Sequence, residues 1–204
     1  MLPQVIILNG TGSSGKTSLA KEFIEMLKVQ YLNFSIDSVL YSLPPSDHKK
    51  MMEGKAISRG GYHYPTLVEG YHQAAKGLAQ SGCMLVLDNA WGSDREKLNL
   101  LEALAGFEIC LVGVRCHLLV ASLREKERGD RALGLAESEY NLVHQHMRYD
   151  AEIDTTQQTP HSAARQLLNF LDSKPQLHGA KDTRAILKAY CRLLSFNISI
   201  HAKR

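Results

Sequence analysis

The sequence predicts an α/β fold, a three-layer sandwich in which a five-stranded parallel sheet carries helices on both faces. Three observations carry that expectation. Apolar β-type runs alternate with amphipathic helical stretches along the chain. The runs are short and almost continuously apolar, as strands buried on both faces must be. The first run, Val5 to Asn9, passes straight into a glycine-rich segment and then a helical pattern, the strand–loop–helix order of a phosphate-binding turn.

In chain order, strands are expected at Val5–Asn9, Leu32–Ile36, Met84–Leu87, Ile109–Val114 and, more weakly patterned, Ala151–Asp154. Residues 16 to 28 place Leu19, Phe23, Ile24 and Leu27 on one helical face. A second helix is expected over 66 to 80. Ser93 with Glu96 reads as a capping box for a third, ending near Leu104. Further helices are expected over 117 to 128 and 137 to 148. Thr159 as N-cap and Pro160 at the first helical position open another over 161 to 172. Residues 42 to 65, with three prolines, three glycines and Tyr62-His63-Tyr64, read as a long insertion, a type of segment that often carries function. The main domain is expected to span 1 to 174. Residues 175 to 204 form an extension with a helix over Thr183 to Leu194, whose apolar stripe either packs on the domain or makes a homo-oligomer contact.

Composition narrows the function. The chain has 204 residues and a net charge of +3, with no dense Lys/Arg block, which argues against nucleic acid. Its four cysteines form no C-x-x-C pair and read as reduced thiols of a cytoplasmic protein. No run reaches membrane-spanning length, and the N-terminal apolar run is too short for a secretory signal.

Residues Gly10 to Thr17 fit G-x-x-x-x-G-K-S/T, the P-loop. Gly10, Gly12 and Gly15 allow backbone turns that a Cβ would block. The N–H groups of Thr11, Ser13 and Ser14 can then turn toward phosphate oxygens, and the helix opening through Lys16, Thr17 and Ser18 adds its positive dipole end. Lys16 supplies the charge for the β- and γ-phosphates of ATP, and the Thr17 hydroxyl is placed to ligate Mg²⁺. Asp37 follows the second strand, where ligands of open α/β sheets lie; it reads either as a general base for an attacking hydroxyl or as a helix cap. Asp88, ending the third strand, reads as a metal carboxylate or a turn residue. Trp91 either lines the acceptor pocket or packs. Arg124, Arg128 and Arg131 form the main basic cluster, with Gly129 breaking the helix between them. They read as a lid over a transferring phosphoryl group or as a solvated helix face. Thr155, after the fifth strand, is placed to contact the nucleotide base. His144 and His146 stand on different faces of a predicted helix and make no metal pair.

Taken together, the P-loop with its preceding Ile-Ile-Leu-Asn, Phe-Ser-Ile-Asp-Ser at 34–38, Val-Gly-Val-Arg-Cys at 112–116, Arg-Gly-Asp-Arg at 128–131 and Tyr-Asp-Ala-Glu-Ile-Asp-Thr-Thr at 149–156 resemble the chloramphenicol 3-O-phosphotransferase family. The blocks keep their order from residue 5 to about 172. The resemblance implies a P-loop kinase fold with a helical lid. It implies transfer of the γ-phosphate of ATP, with Mg²⁺, to a hydroxyl of a small molecule. It gives Lys16 and Thr17 the nucleotide and metal roles, Asp37 the base role, and Arg128 and Arg131 the lid. The chain departs from the family at Asp88-Asn89, where a second aspartate is expected, and over 42 to 65, where the acceptor would sit. Two alternatives stand beside this reading: a kinase for another acceptor, of the zeta-toxin nucleotide-sugar type, and a nucleotide-binding regulatory module without phosphotransfer.

Overall fold

The computed structural model describes residues 2–129 and 133–201, with side chains as far as Leu193. Five strands follow the apolar runs: β1 (Val5–Asn9), β2 (Tyr31–Ser35), β3 (Met84–Asn89), β4 (Ile109–Arg115) and β5 (Ala151–Asp154). They form one parallel sheet in the order β2-β3-β1-β4-β5. From β1 the chain moves to one side of the sheet to make β2 and β3, then crosses to the other side for β4 and β5. The reversal falls at the end of β1, so the P-loop leaves the sheet at its topological switch point.

All of β1 is buried, because helices cover both of its faces. Its alternation divides the core in two. Val5 and Ile7 pack with Tyr71, Leu100, Leu104 and Leu187 beneath α4 (Tyr64–Gln80), α5 (Asp94–Ala103) and α9 (Gly179–His201). Ile6 and Leu8 pack with Leu19, Phe23, Ala164 and Leu167 beneath α1 (Lys16–Glu25) and α8 (Pro160–Asp172). The Ser93 hydroxyl accepts from the Glu96 N–H at 3.3 Å, and the Thr159 hydroxyl accepts from the Ser162 N–H at 3.1 Å, so both expected caps are in place. Among the described residues four further helices are α2 (Ile36–Leu40), α3 (Pro45–Met52), α6 (Leu118–Arg128) and α7 (Leu135–Tyr140). Trp91 is 3% exposed and packs in the first core cluster. All four cysteines are free. Among the described residues no helix is long and apolar enough to cross a membrane.

Three expectations need correction. The second strand runs Tyr31–Ser35, one residue earlier than its apolar pattern suggests. Buried Tyr31 belongs to it, held by its hydroxyl on the Pro3 carbonyl at 2.6 Å, while Ile36 already begins α2. The insertion 42 to 65 contains α3, begun at Pro45 and tied back when Arg59 donates to buried Asp47 at 2.5 Å. The helix expected over 137 to 148 stops at Tyr140. Beyond it the carbonyls are claimed by tertiary donors: Lys97 Nζ reaches those of Leu142 and Gln145, both at 2.9 Å, and the Asn9 amide takes that of Val143 at 2.7 Å.

The extension packs onto the domain through the first half of α9, where Leu187 is fully buried. The start of α9 is fixed by one carboxylate. Asp150 Oδ1 accepts from the N–H groups of His178 and Gly179 at 2.7 and 2.8 Å, while Oδ2 accepts from the Leu111 N–H of β4 at 2.8 Å. Replacing Asp150 by Ala strands three donors, so the unfolding free energy is expected to fall by about 2–4 kcal/mol. Urea denaturation checks this. A fall below about 0.5 kcal/mol would show that apolar packing alone seats α9.

Candidate active site

Strand register brings the candidate residues to one edge of the sheet. Leu8 pairs with Asp88, Asp88 pairs with Ser35, and Asn9 pairs with Gly113. Gly10, Asp37 and Asp88 therefore leave neighbouring strands at the same level. Gly10 admits no side chain, since a Cβ there would meet the Val114 carbonyl oxygen at 2.3 Å. Gly15 adopts a left-handed conformation, φ 89°, at the turn into α1. Ser13 is also left-handed, φ 57°, a geometry that costs a residue with a Cβ about 1–2 kcal/mol and that the loop imposes on it.

Lys16 is 6% exposed. Its ammonium donates to the Thr11 carbonyl at 2.7 Å and lies 3.8 Å from Asp88 Oδ1. The Thr17 hydroxyl donates to Asp88 Oδ2 at 2.5 Å. A threonine oxygen and a carboxylate thus meet beside the lysine at the mouth of the loop. Asp37 sits two residues beyond the end of β2, in the first turn of α2, where the helix dipole favours its charge. The cap position before that helix belongs to Ser35, whose N–H donates to the Ser38 hydroxyl at 3.3 Å. Lys16, Thr17, Asp37, Asp88, Arg128 and Glu139 line one pocket, with Gly12, Gly15 and Ser18 in its wall.

A second pocket adjoins it across Ser13, Gly15, Ser18 and Arg128, lined further by Leu19, Arg124, Thr155 and Gln158. The structure therefore separates the arginines. Arg128 borders both pockets, whereas Arg124 faces the second one, donating to the Thr155 carbonyl at 2.9 Å and approaching the Cys116 thiol at 3.4 Å. Gly129 caps α6 in the left-handed region, φ 62°. Arg131 lies outside the described residues. The Thr155 hydroxyl lies 2.5 Å from the Ser14 carbonyl and 3.0 Å from that of Arg115, which pins the loop after β5 to the P-loop.

Several participants carried no signal in the sequence. Glu125, 5% exposed, accepts from the N–H groups of Gly134 and Ala136 at 2.8 and 3.0 Å and so joins α6 to α7. Glu139 of α7 accepts from the P-loop N–H of Gly12 at 2.6 Å. Asn9 donates to the Tyr149 hydroxyl at 2.7 Å, which leaves that hydroxyl to donate to His144 Nδ1, also at 2.7 Å. Burial, helped by the charges of Arg115, Lys16 and Lys97, lowers His144 to about 4, so its ring is neutral at neutral pH. His146 turns instead to Asp94, 2.8 Å away. Tyr64, at the end of the 42–65 stretch, is 42% exposed; the burial of the rest of its side chain, and the charges of Glu96, Asp37, Tyr62 and Glu139, push it up to about 12.

The chain is similar to known proteins in sequence and in fold. A family model described as chloramphenicol phosphotransferase-like protein matches residues 3–172. A Mycobacterium tuberculosis protein provisionally named an O-phosphotransferase is 27% identical over 180 residues, covering 80% of each chain. Among solved structures, a Janibacter sugar kinase superposes with a TM-score of 0.62 at 16% identity, covering 82% of this chain and 94% of its own. The M. tuberculosis APS kinase, solved with AMPPNP and APS, gives a TM-score of 0.61 at 12% identity, covering 84% and 98%. These two show that the fold is that of the P-loop kinases. The family match extends over the sheet, the P-loop and the loop after β5, and the chain therefore belongs to the chloramphenicol phosphotransferase-like family, a phosphotransferase by that membership.

Proposed function

We propose that the protein is an ATP- and Mg²⁺-dependent O-phosphotransferase that moves the γ-phosphate to a hydroxyl of a small molecule in the cytoplasm. The observation that carries the reading is the meeting of Lys16, the Thr17–Asp88 oxygen pair and Asp37 in one pocket at the carboxyl edge of the sheet. A pure nucleotide switch has no use for a carboxylate facing an acceptor from the neighbouring strand.

In this reading the adenosine lies in the second pocket, against Arg124, Thr155 and Gln158, and the phosphates follow the loop from Gly10 to Thr17 into the first. Thr17 and Asp88 are hard oxygen donors already in contact, which suits Mg²⁺ completed by phosphate and water oxygens. When bound, Mg²⁺ neutralises charge on the β- and γ-phosphates. Lys16 adds a second, protein-borne charge at the same place. Asp37 accepts the proton of the acceptor hydroxyl as that oxygen bonds to the γ-phosphorus and the bond to the β-phosphate oxygen breaks, releasing ADP. Arg128, with Arg131 beyond it in the chain, closes over the transferring group, while Arg124 serves the nucleoside side. Tyr64 and the start of α4 border the acceptor.

The test is ADP release with ATP and Mg²⁺ across a panel of hydroxylated antibiotics and metabolites, chloramphenicol first. An acceptor-dependent rate at least about 10²-fold over basal hydrolysis is expected with one class of acceptor. Tight ATP binding with no stimulation by any hydroxyl compound would instead favour the regulatory reading.

A further inference from the structure

Building on the kinase reading above, we infer that Glu139 occupies the terminal-phosphate end of the P-loop and must be displaced by ATP, which makes α7 a sensor of the γ-phosphate. The contact is direct: the Gly12 N–H donates to Glu139 Oε2 at 2.6 Å. This is one of the donors that a P-loop offers to phosphate oxygen. A carboxylate oxygen on that N–H takes the place of a phosphate oxygen in charge and in hydrogen-bonding role.

Position says which phosphate it opposes. Gly12 and Glu139 line the pocket that holds Lys16, Asp37 and Asp88. Neither borders the pocket of Arg124, Thr155 and Gln158, which takes the nucleoside. Glu139 is thus set against the end of the nucleotide where the third phosphate and the acceptor meet. On this placement ADP, which lacks the third phosphate, brings less charge to that end of the loop. ATP brings a second anion to the same N–H, and like charges at hydrogen-bond distance in a half-enclosed pocket repel strongly.

The displacement is transmitted. The first turn of α7 is bonded through the Gly134 and Ala136 N–H groups to buried Glu125 of α6. Glu125 and Arg128 share that helix and the same pocket. Pushing Glu139 off the loop therefore moves an element tied to the helix that carries Arg128. After transfer, the terminal phosphate is gone from ADP and Glu139 can return to Gly12, which favours product release.

Titration calorimetry of Mg·ATP and Mg·ADP against the full chain and Glu139→Gln tests this. The neutral amide removes the repulsion and keeps the size, so the Kd for ATP is expected to fall by about 5- to 20-fold while that for ADP changes less than about twofold. Glu139→Asp, whose shorter side chain withdraws the charge from Gly12, should shift ATP in the same direction by a smaller factor and serves if the amide variant fails to fold. Equal shifts for both nucleotides, or ATP binding no tighter in either variant, overturn the inference while leaving the kinase reading intact. A native chain that binds neither nucleotide overturns both.

Discussion

Lys16→Ala is expected to lower phosphotransfer by about 10³-fold or more while the chain remains folded. The size of the effect follows from where the ammonium sits. It is almost wholly buried, 2.7 Å from the Thr11 carbonyl and 3.8 Å from Asp88, at the mouth of a loop whose other donors are neutral N–H groups. Inside such a pocket a charge acts through a lower effective dielectric than in water and stabilises the negative charge that gathers on the transferring group. No other described residue of that pocket can replace it from the loop itself, since Arg128 belongs to α6. The fold should tolerate the change, because Asp88 keeps the Thr17 hydroxyl as a partner. Lys16→Met retains the apolar stem and separates charge from packing: turnover should fall as far as in the alanine variant, with a smaller loss of stability. Acceptor-dependent ADP release and a denaturation curve, measured on both variants, check the two halves. Near-normal turnover in either one would remove the P-loop from the chemistry.

What could be read from the chain divides along physical lines. The inner strands were legible because they are buried on both faces and so need a continuous apolar run, as Val5–Asn9 and Ile109–Arg115 show, whereas the edge strands β2 and β5 are partly exposed and carry a shifted or weaker pattern. The P-loop was legible because its backbone demands specific residues: Gly10 has no room for a Cβ, and Gly15 is left-handed. Asp37 and Asp88 were legible as acids near strand ends, although only the register of β2 on β3 shows that they share a pocket. Other features depend on partners far away in sequence, and no local pattern contains them. The end of α7 is decided by Lys97 and Asn9, which claim carbonyls of the segment after it. Glu125 stands in a charged stretch that reads as a solvated surface and Glu139 in an expected helix, yet one caps a neighbouring helix and the other reaches Gly12. The division of Arg124 from Arg128 is equally invisible in a spacing of four, which puts both on one helix face. It arises because the two pockets meet across that face.

Asp37→Asn is expected to cut turnover by about 10²- to 10⁴-fold with the affinity for ATP changed less than about twofold. The substitution isolates the proton-accepting role. Asparagine has the same shape, fits the first turn of α2 and can still hydrogen-bond an acceptor hydroxyl, so positioning survives. What it cannot do is take the proton as the oxygen attacks phosphorus. The carboxylate's favourable interaction with the helix dipole, about 0.3–1 kcal/mol, is one contribution to the fold that the substitution removes. Nucleotide binding should not suffer, since Thr17 holds Asp88 and Lys16 holds Thr11 independently of α2. A loss below threefold would mean that Asp37 is a helix-end residue that borders the pocket without working in it, and the proton would then have to leave through water or the γ-phosphate itself.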